Sequence, residues 1–140
     1  MPIELVPLAT ITIDFADPVL LAGTPAGTRA IFEIRDFVME GDRIRAKKLG
    51  ATAADWVTIG PDGTGTLDVR ATVETDDGAV VYITAVGRVD VSAGPNTSPL
   101  YGALLYDTGD ERYTWLNKIQ SVGKGTVDGN VLTIEVCEAK

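Results

Sequence analysis

Apolar and polar residues alternate along most of this chain. In "LDVRATVETDDGAVVYITAVG", residues 67–87, Leu67, Val69, Ala71 and Val73 share one side. Asp68, Arg70, Thr72 and Glu74 take the other, which is the two-residue period of a strand. "ATITIDF" repeats the pattern with Ile11, Ile13 and Phe15. "TRAIFEIRDFVM", "IRAKKL", "DWVTI" and the hairpin "KIQSVGKGTVDGNVLTIEVCEA" extend it. Turn signals recur about every 8–12 residues, the spacing of an all-β sandwich or barrel. Long helical periodicity is missing, so the pattern predicts a single closed antiparallel β-barrel over 1–140. At most one or two short helical turns are expected, in "TGDERYTWLN", with Thr108 or Asp110 as N-cap. The irregular "VSAGPNTSPLYG" reads as a long loop that covers a barrel mouth.

The hairpin raises the question of which side faces in. With a two-residue turn at Asp77-Gly78, odd positions of the first strand fall beside even positions of the second. Val69, Ala71 and Val73 then share a face with Val80, Tyr82, Thr84 and Val86. The charged row instead lies beside Val81, Ile83 and Ala85. A wet sheet face alternates cleanly on both strands, and this one does not. The expectation is that both faces are covered, with Asp68 and Arg70 inside the barrel sharing a pocket with Trp56 or Asp55. Val81 and Ile83 beside the charged row further predict a homo-oligomer, a dimer or larger. A three-residue turn would reverse the parity.

Composition narrows the chemistry. The chain has 140 residues, a formal charge of −8, one cysteine and no histidine. The acidic balance argues against nucleic acid and anionic membrane as partners. No apolar run reaches the roughly 20 residues of a membrane span, and "MPIELVPLAT" lacks the features of a secretory leader, so a cytoplasmic protein is expected. Lone Cys137 fits a reducing compartment. Without histidine there is no His-based triad, no His-ligated zinc and no ordinary proton shuttle at neutral pH. No metal site and no cofactor is expected; chemistry falls to carboxylates, arginine, lysine, tyrosine and backbone.

Several motifs resemble chemistry and read better as turns. "GTPAGTR" has the glycines of a phosphate loop without its Gly-Lys-Ser/Thr ending, and "GKGTVDG" sits within a hairpin. "LLYDTGDE" matches the local aspartic-protease pattern around Asp107 but lacks the hydrophobic-Gly segment that should follow. The remaining candidates are Asp55, Asp68, Asp76 and Asp77 with Arg29 and Arg70. Trp56, Tyr82, Tyr113 and Trp115 are core or ligand wall.

Together, "GTPAGTR", "ADW…PDGTGTLDVR", "ETDDGA" and "YDTGDERYTWLN" resemble the DUF3237 family, also called UPF0311, in order over nearly the whole chain. The resemblance implies a barrel of calycin or allene-oxide-cyclase type, commonly self-associating, and no family-wide activity. It carries over Arg29, Asp55, Trp56, Asp68, Arg70, Asp76, Asp77, Tyr113, Trp115 and Asn117 as site positions. Two departures stand out: Arg35-Asp36 replaces paired glycines, and Gly102-Ala103 replaces an aromatic and an arginine after Tyr101. The second argues against an anion site there and for a wider, more apolar mouth.

These observations lead to a small-molecule-binding barrel for a small apolar carbonyl or phenolic compound. In its catalytic form, a cofactor-independent isomerase, cyclase or lyase, Asp68 or Asp55 moves a proton and Arg70 or Arg29 stabilises an oxyanion. Arg29, Trp56, Asp76, Tyr82, Tyr113, Trp115 and Asn117 are the expected ligand contacts. The alternative is a non-catalytic oligomeric barrel whose charged row is a stabilising network.

Overall fold

The computed structural model describes residues 1–140. Its strands are β1 (Leu5–Phe15), β2 (Val19–Thr24), β3 (Gly27–Glu40), β4 (Arg45–Lys48), β5 (Ala54–Ile59), β6 (Thr64–Thr75), β7 (Val80–Asp90), β8 (Leu100–Asp107), β9 (Gln120–Asp128) and β10 (Val131–Ala139). All pairings are antiparallel, and β1 pairs with both β10 and β3, which closes the sheet. The strands fill eight places around the barrel. β1 and β2 share one place, pairing with β3 over 34–40 and 27–31 respectively. β4 and β5 share another, between β3 and β6. Pro18, which cannot donate to a ladder, marks the break between β1 and β2. The closed barrel is the fold that the alternation predicts.

Every second residue points inward and builds the core. Ile11, Ile13, Ile34, Phe37, Met39, Val73, Val81 and Ile83 are among its most deeply buried members. On β3 the inward parity shifts between Ile34 and Phe37, where the register against β1 slips at Arg35-Asp36. Asp36 stabilises that bulge by accepting the Phe37 N–H at 3.0 Å.

The hairpin of β6 and β7 corrects the expected parity. Its turn holds three residues, Asp76, Asp77 and Gly78, between a paired Thr75 and Ala79. Gly78 adopts φ +91°, a left-handed conformation that residues with a Cβ rarely tolerate. The extra residue pairs Val73 with Val81, Ala71 with Ile83 and Val69 with Ala85. Val81 and Ile83 are therefore core, not outer surface, and give no ground for association. Asp68 and Arg70 point outward.

One end of the barrel is closed by a 3-10 helix, Glu111–Lys118. Asp110, one of the two expected caps, accepts the Arg112 N–H and binds the Arg112 guanidinium at 2.8 Å. Leu116 is fully buried, a contribution of about 1.5–3 kcal/mol. Beneath it Tyr106 and Ser121 share a buried hydroxyl–hydroxyl hydrogen bond of 2.7 Å. Burial pushes the Tyr106 phenol up to about 12. No helix is long and apolar enough to cross a membrane.

Candidate active site

The other end is hollow. A cavity of about 410 Å³ opens between the strand ends, walled by Phe15, Phe32, Val57, Ile59, Leu67, Leu100 and Leu132. Its rim carries Asn96, Ser98 and Asn130. Asn96, in the left-handed region at φ 58°, reaches across the mouth from the 91–99 loop and donates to the Gly129 carbonyl at 3.5 Å. Asn130 donates to Asp17 at 3.0 Å. The expected cover of the mouth by this loop is present.

Asp55 is the one ionisable side chain in the cavity wall. Strand alternation puts it there: Asp55, Val57 and Ile59 of β5 face inward, while Trp56 and Thr58 face out. The residue is 5% exposed, and its Oδ1 accepts the Asp68 N–H at 3.0 Å. Oδ2 has no protein partner, and no side-chain oxygen in the molecule is both sealed from solvent and unpaired, so Oδ2 opens onto the cavity. Burial raises this carboxyl to about 6. The Asp68 N–H bond pulls it partly back, and the negative charge of Asp68 adds to the rise. A carboxyl held there exchanges protons near neutral pH, in a chain without histidine.

The other expected site residues lie elsewhere. Asp68 and Arg70 form an outer pair 3.7 Å apart with side chains 47% and 59% exposed, contrary to the expected buried pair. Arg70 lies over the outward-facing Trp56, 5.4 Å from the ring centroid. Arg29 is exposed on β3 between Leu21 and Thr58. Tyr82 points outward beside Thr72 and Asp107. Asp76 is exposed in the hairpin turn.

Tyr113, Trp115 and Asn117 lie on the helix at the closed end, where they brace it. The Tyr113 hydroxyl donates to both carboxylate oxygens of Asp77, at 2.9 and 3.0 Å. Asn117 brackets Thr108 with two hydrogen bonds of 2.8 Å. The Trp115 ring stacks 4.5 Å beneath the Arg43 guanidinium. Of the ten expected site residues, Asp55 alone lines the cavity. The signal for it was local: in "ADWVTI" one acid occupies the same alternate set as Val57 and Ile59. No cluster of three or more His, Cys, Asp or Glu side chains is placed to hold a metal ion.

A model of a protein family of unknown function, DUF3237, matches residues 3–139. The chain belongs to the DUF3237 family. This DUF3237 protein is 28% identical over 142 residues to the UPF0311 protein RPA1785 of Rhodopseudomonas palustris, covering 91% of this chain and 90% of that one. It is 29% identical over 98 residues to the hydroalkoxylation enzyme phnH of Penicillium herquei, covering 70% of this chain. That match spans 58% of the fungal enzyme's own length. Among solved structures, a β-barrel-like protein from Acinetobacter baumannii superposes with a TM-score of 0.88 at 27% identity. The superposition covers 100% of this chain and 98% of that one. The DUF3237 barrel thus has an enzyme among its distant relatives.

Proposed function

We propose that this protein is a cofactor-independent acid–base catalyst that adds a hydroxyl group across a carbon–carbon double bond within one compact, largely apolar molecule. The observation that carries the reading is Asp55: one carboxyl, raised to about 6, with a free oxygen in an apolar cavity of about 410 Å³. That volume is ordinary for a small-molecule site. The similarity to a hydroalkoxylation enzyme points to the reaction class.

The step balances on the carboxyl alone. Protonated Asp55 gives its proton to one alkene carbon while the hydroxyl oxygen bonds to the other. The hydroxyl proton then returns to the carboxylate, so the product is an isomer of the substrate and nothing is oxidised or reduced. Apolar walls hold the alkene and exclude competing water, and the amides and hydroxyl at the rim suit polar groups on the substrate. Asp68 and Arg70, being outside, take no part.

Incubation with phenols that carry an ortho alkenyl chain tests the reading. The expected product has unchanged mass and no free phenol, and Asp55→Asn lowers its rate by about 10²–10⁴-fold, the usual weight of a general acid–base group. Turnover by Asp55→Asn at the normal rate would overturn it.

One observation favours association of copies as well. β2 ends the pairing order with a free edge, and it exposes Val19, Leu20 and Leu21. Such an edge is a ready template for a second chain. Light scattering should show a dimer or larger species that Leu20→Lys reduces to the 14.8 kDa monomer. A monomer at high micromolar concentration contradicts it.

A further inference from the structure

Asp55 borders a second space. Below the outer cavity lies a chamber of about 30 Å³, and the two share Asp55, Leu67, Leu100 and Leu132. The chamber holds roughly two water-sized spheres by volume. Apart from Asp55, its walls carry only apolar side chains and Gly102. A water molecule needs two to four polar partners, so the chamber suits a small apolar group better than water.

Gly102 lines the chamber from the middle of an inward-facing row of glycines. Gly87 pairs with Gly102, and Gly102 pairs with Gly123, on three neighbouring strands. Two of them are fixed by close packing: a Cβ on Gly87 would overlap the Tyr101 carbonyl, and one on Gly123 would strike Ile134. Gly102 differs. A Cβ there would meet one atom, the Val86 carbonyl oxygen, at an ordinary 3.5 Å. Backbone packing therefore gives no reason for glycine at 102, whereas a side chain there would grow into the chamber. Gly102, the first residue of the departure noted after Tyr101, lines the inner chamber and not the outer cavity.

Resting on the reading of Asp55 above, we infer that Gly102 sets substrate choice by keeping open an inner chamber for a one- or two-carbon apolar branch. The substrate straddles Asp55, with its bulk in the outer cavity and the branch beyond the carboxyl. Gly102 is a specificity-determining position, not a catalytic one.

The test measures calorimetric affinities for phenol, 2-methylphenol, 2-ethylphenol and 2-propylphenol with the unaltered protein, Gly102→Ala and Gly102→Val. Each buried carbon should tighten binding about fourfold, and the gain should stop after the second. Gly102→Ala should remove part of that gain and Gly102→Val all of it, with affinity for phenol itself unchanged. An equal gain in Gly102→Val, or none in the unaltered protein, overturns the inference. Xenon-pressurised crystals give a readout independent of these ligands. Xenon should sit against Gly102 in the unaltered protein and be absent from Gly102→Ala, and an empty chamber in the unaltered protein overturns the inference too. Asp55→Asn separates the two claims. An alkyl gain that persists there while turnover is also undiminished overturns the acid–base reading and leaves the chamber standing.

Discussion

The two ends of the barrel each bury a carboxylate, and they treat it differently. At the closed end Glu138 meets the Arg43 guanidinium at 2.7 Å, and Arg43 in turn stacks on Trp115. At the open end Asp55 has one backbone N–H and no cation. A paired carboxylate is neutralised and anchors the helix that seals the barrel. An unpaired one facing a cavity holds its proton more tightly than it would in water, and so it can pass that proton to a bound molecule. The closed end is built for stability, and the open end gives some of it up.

The largest expected effect on stability comes from removing the unpaired charge. The Asp55 carboxyl rises from 3.8 to about 6 on folding, so the folded state binds the proton more tightly than the unfolded chain. Stability is then greatest below about pH 4, falls as pH rises toward 6, and stays reduced above that. Asp55→Asn escapes this cost. Its denaturant midpoint should exceed that of the unaltered protein at pH 8 by the equivalent of roughly 3 kcal/mol, with the difference vanishing near pH 4. A destabilised Asp55→Asn at pH 8 would mean that the charge is satisfied after all.

The paired end should respond in the opposite direction. Arg43→Met leaves Glu138 without its cation and should destabilise by about 2 kcal/mol at pH 7. The figure lies below that for a fully buried pair because the Arg43 side chain is 45% exposed. Chemical denaturation of Arg43→Met in the unaltered and in a Glu138→Gln background should show the loss shrinking once position 138 carries no charge. An equal loss in the Glu138→Gln background would assign the effect to the Arg43–Trp115 stack instead.

The smallest effect belongs to the outer pair. Asp68 and Arg70 are each about half exposed and 3.7 Å apart, so Arg70→Ala should shift stability by about 1 kcal/mol or less and leave turnover unchanged. A shift of several kcal/mol would put that row back inside the barrel.

The fold was legible because strand alternation and turn spacing are local, and β6 shows it residue by residue. The orientation of the charged row was not legible, because parity across a hairpin depends on a single turn residue. "TDDGA" accommodates both lengths, and the Thr75–Ala79 pairing that decides between them forms only in the folded hairpin. The site was half legible. Asp55 belongs to an apolar alternate set that the sequence displays plainly, but the wall around it comes from seven other strands and three loops of the chain that no spacing connects. The helix residues Tyr113, Trp115 and Asn117 look like a ligand site in sequence because aromatic and amide side chains that brace a cap are the same types that line a pocket.

The most direct measurement is a titration of the Asp55 carboxyl carbon by NMR, assigned by the loss of its signal in Asp55→Asn. A midpoint of about 6 is expected, set by burial at the open end without a cation. A midpoint at the ordinary 3.8 would contradict it, since a carboxyl that titrates as if in water is neither desolvated nor poised to move a proton.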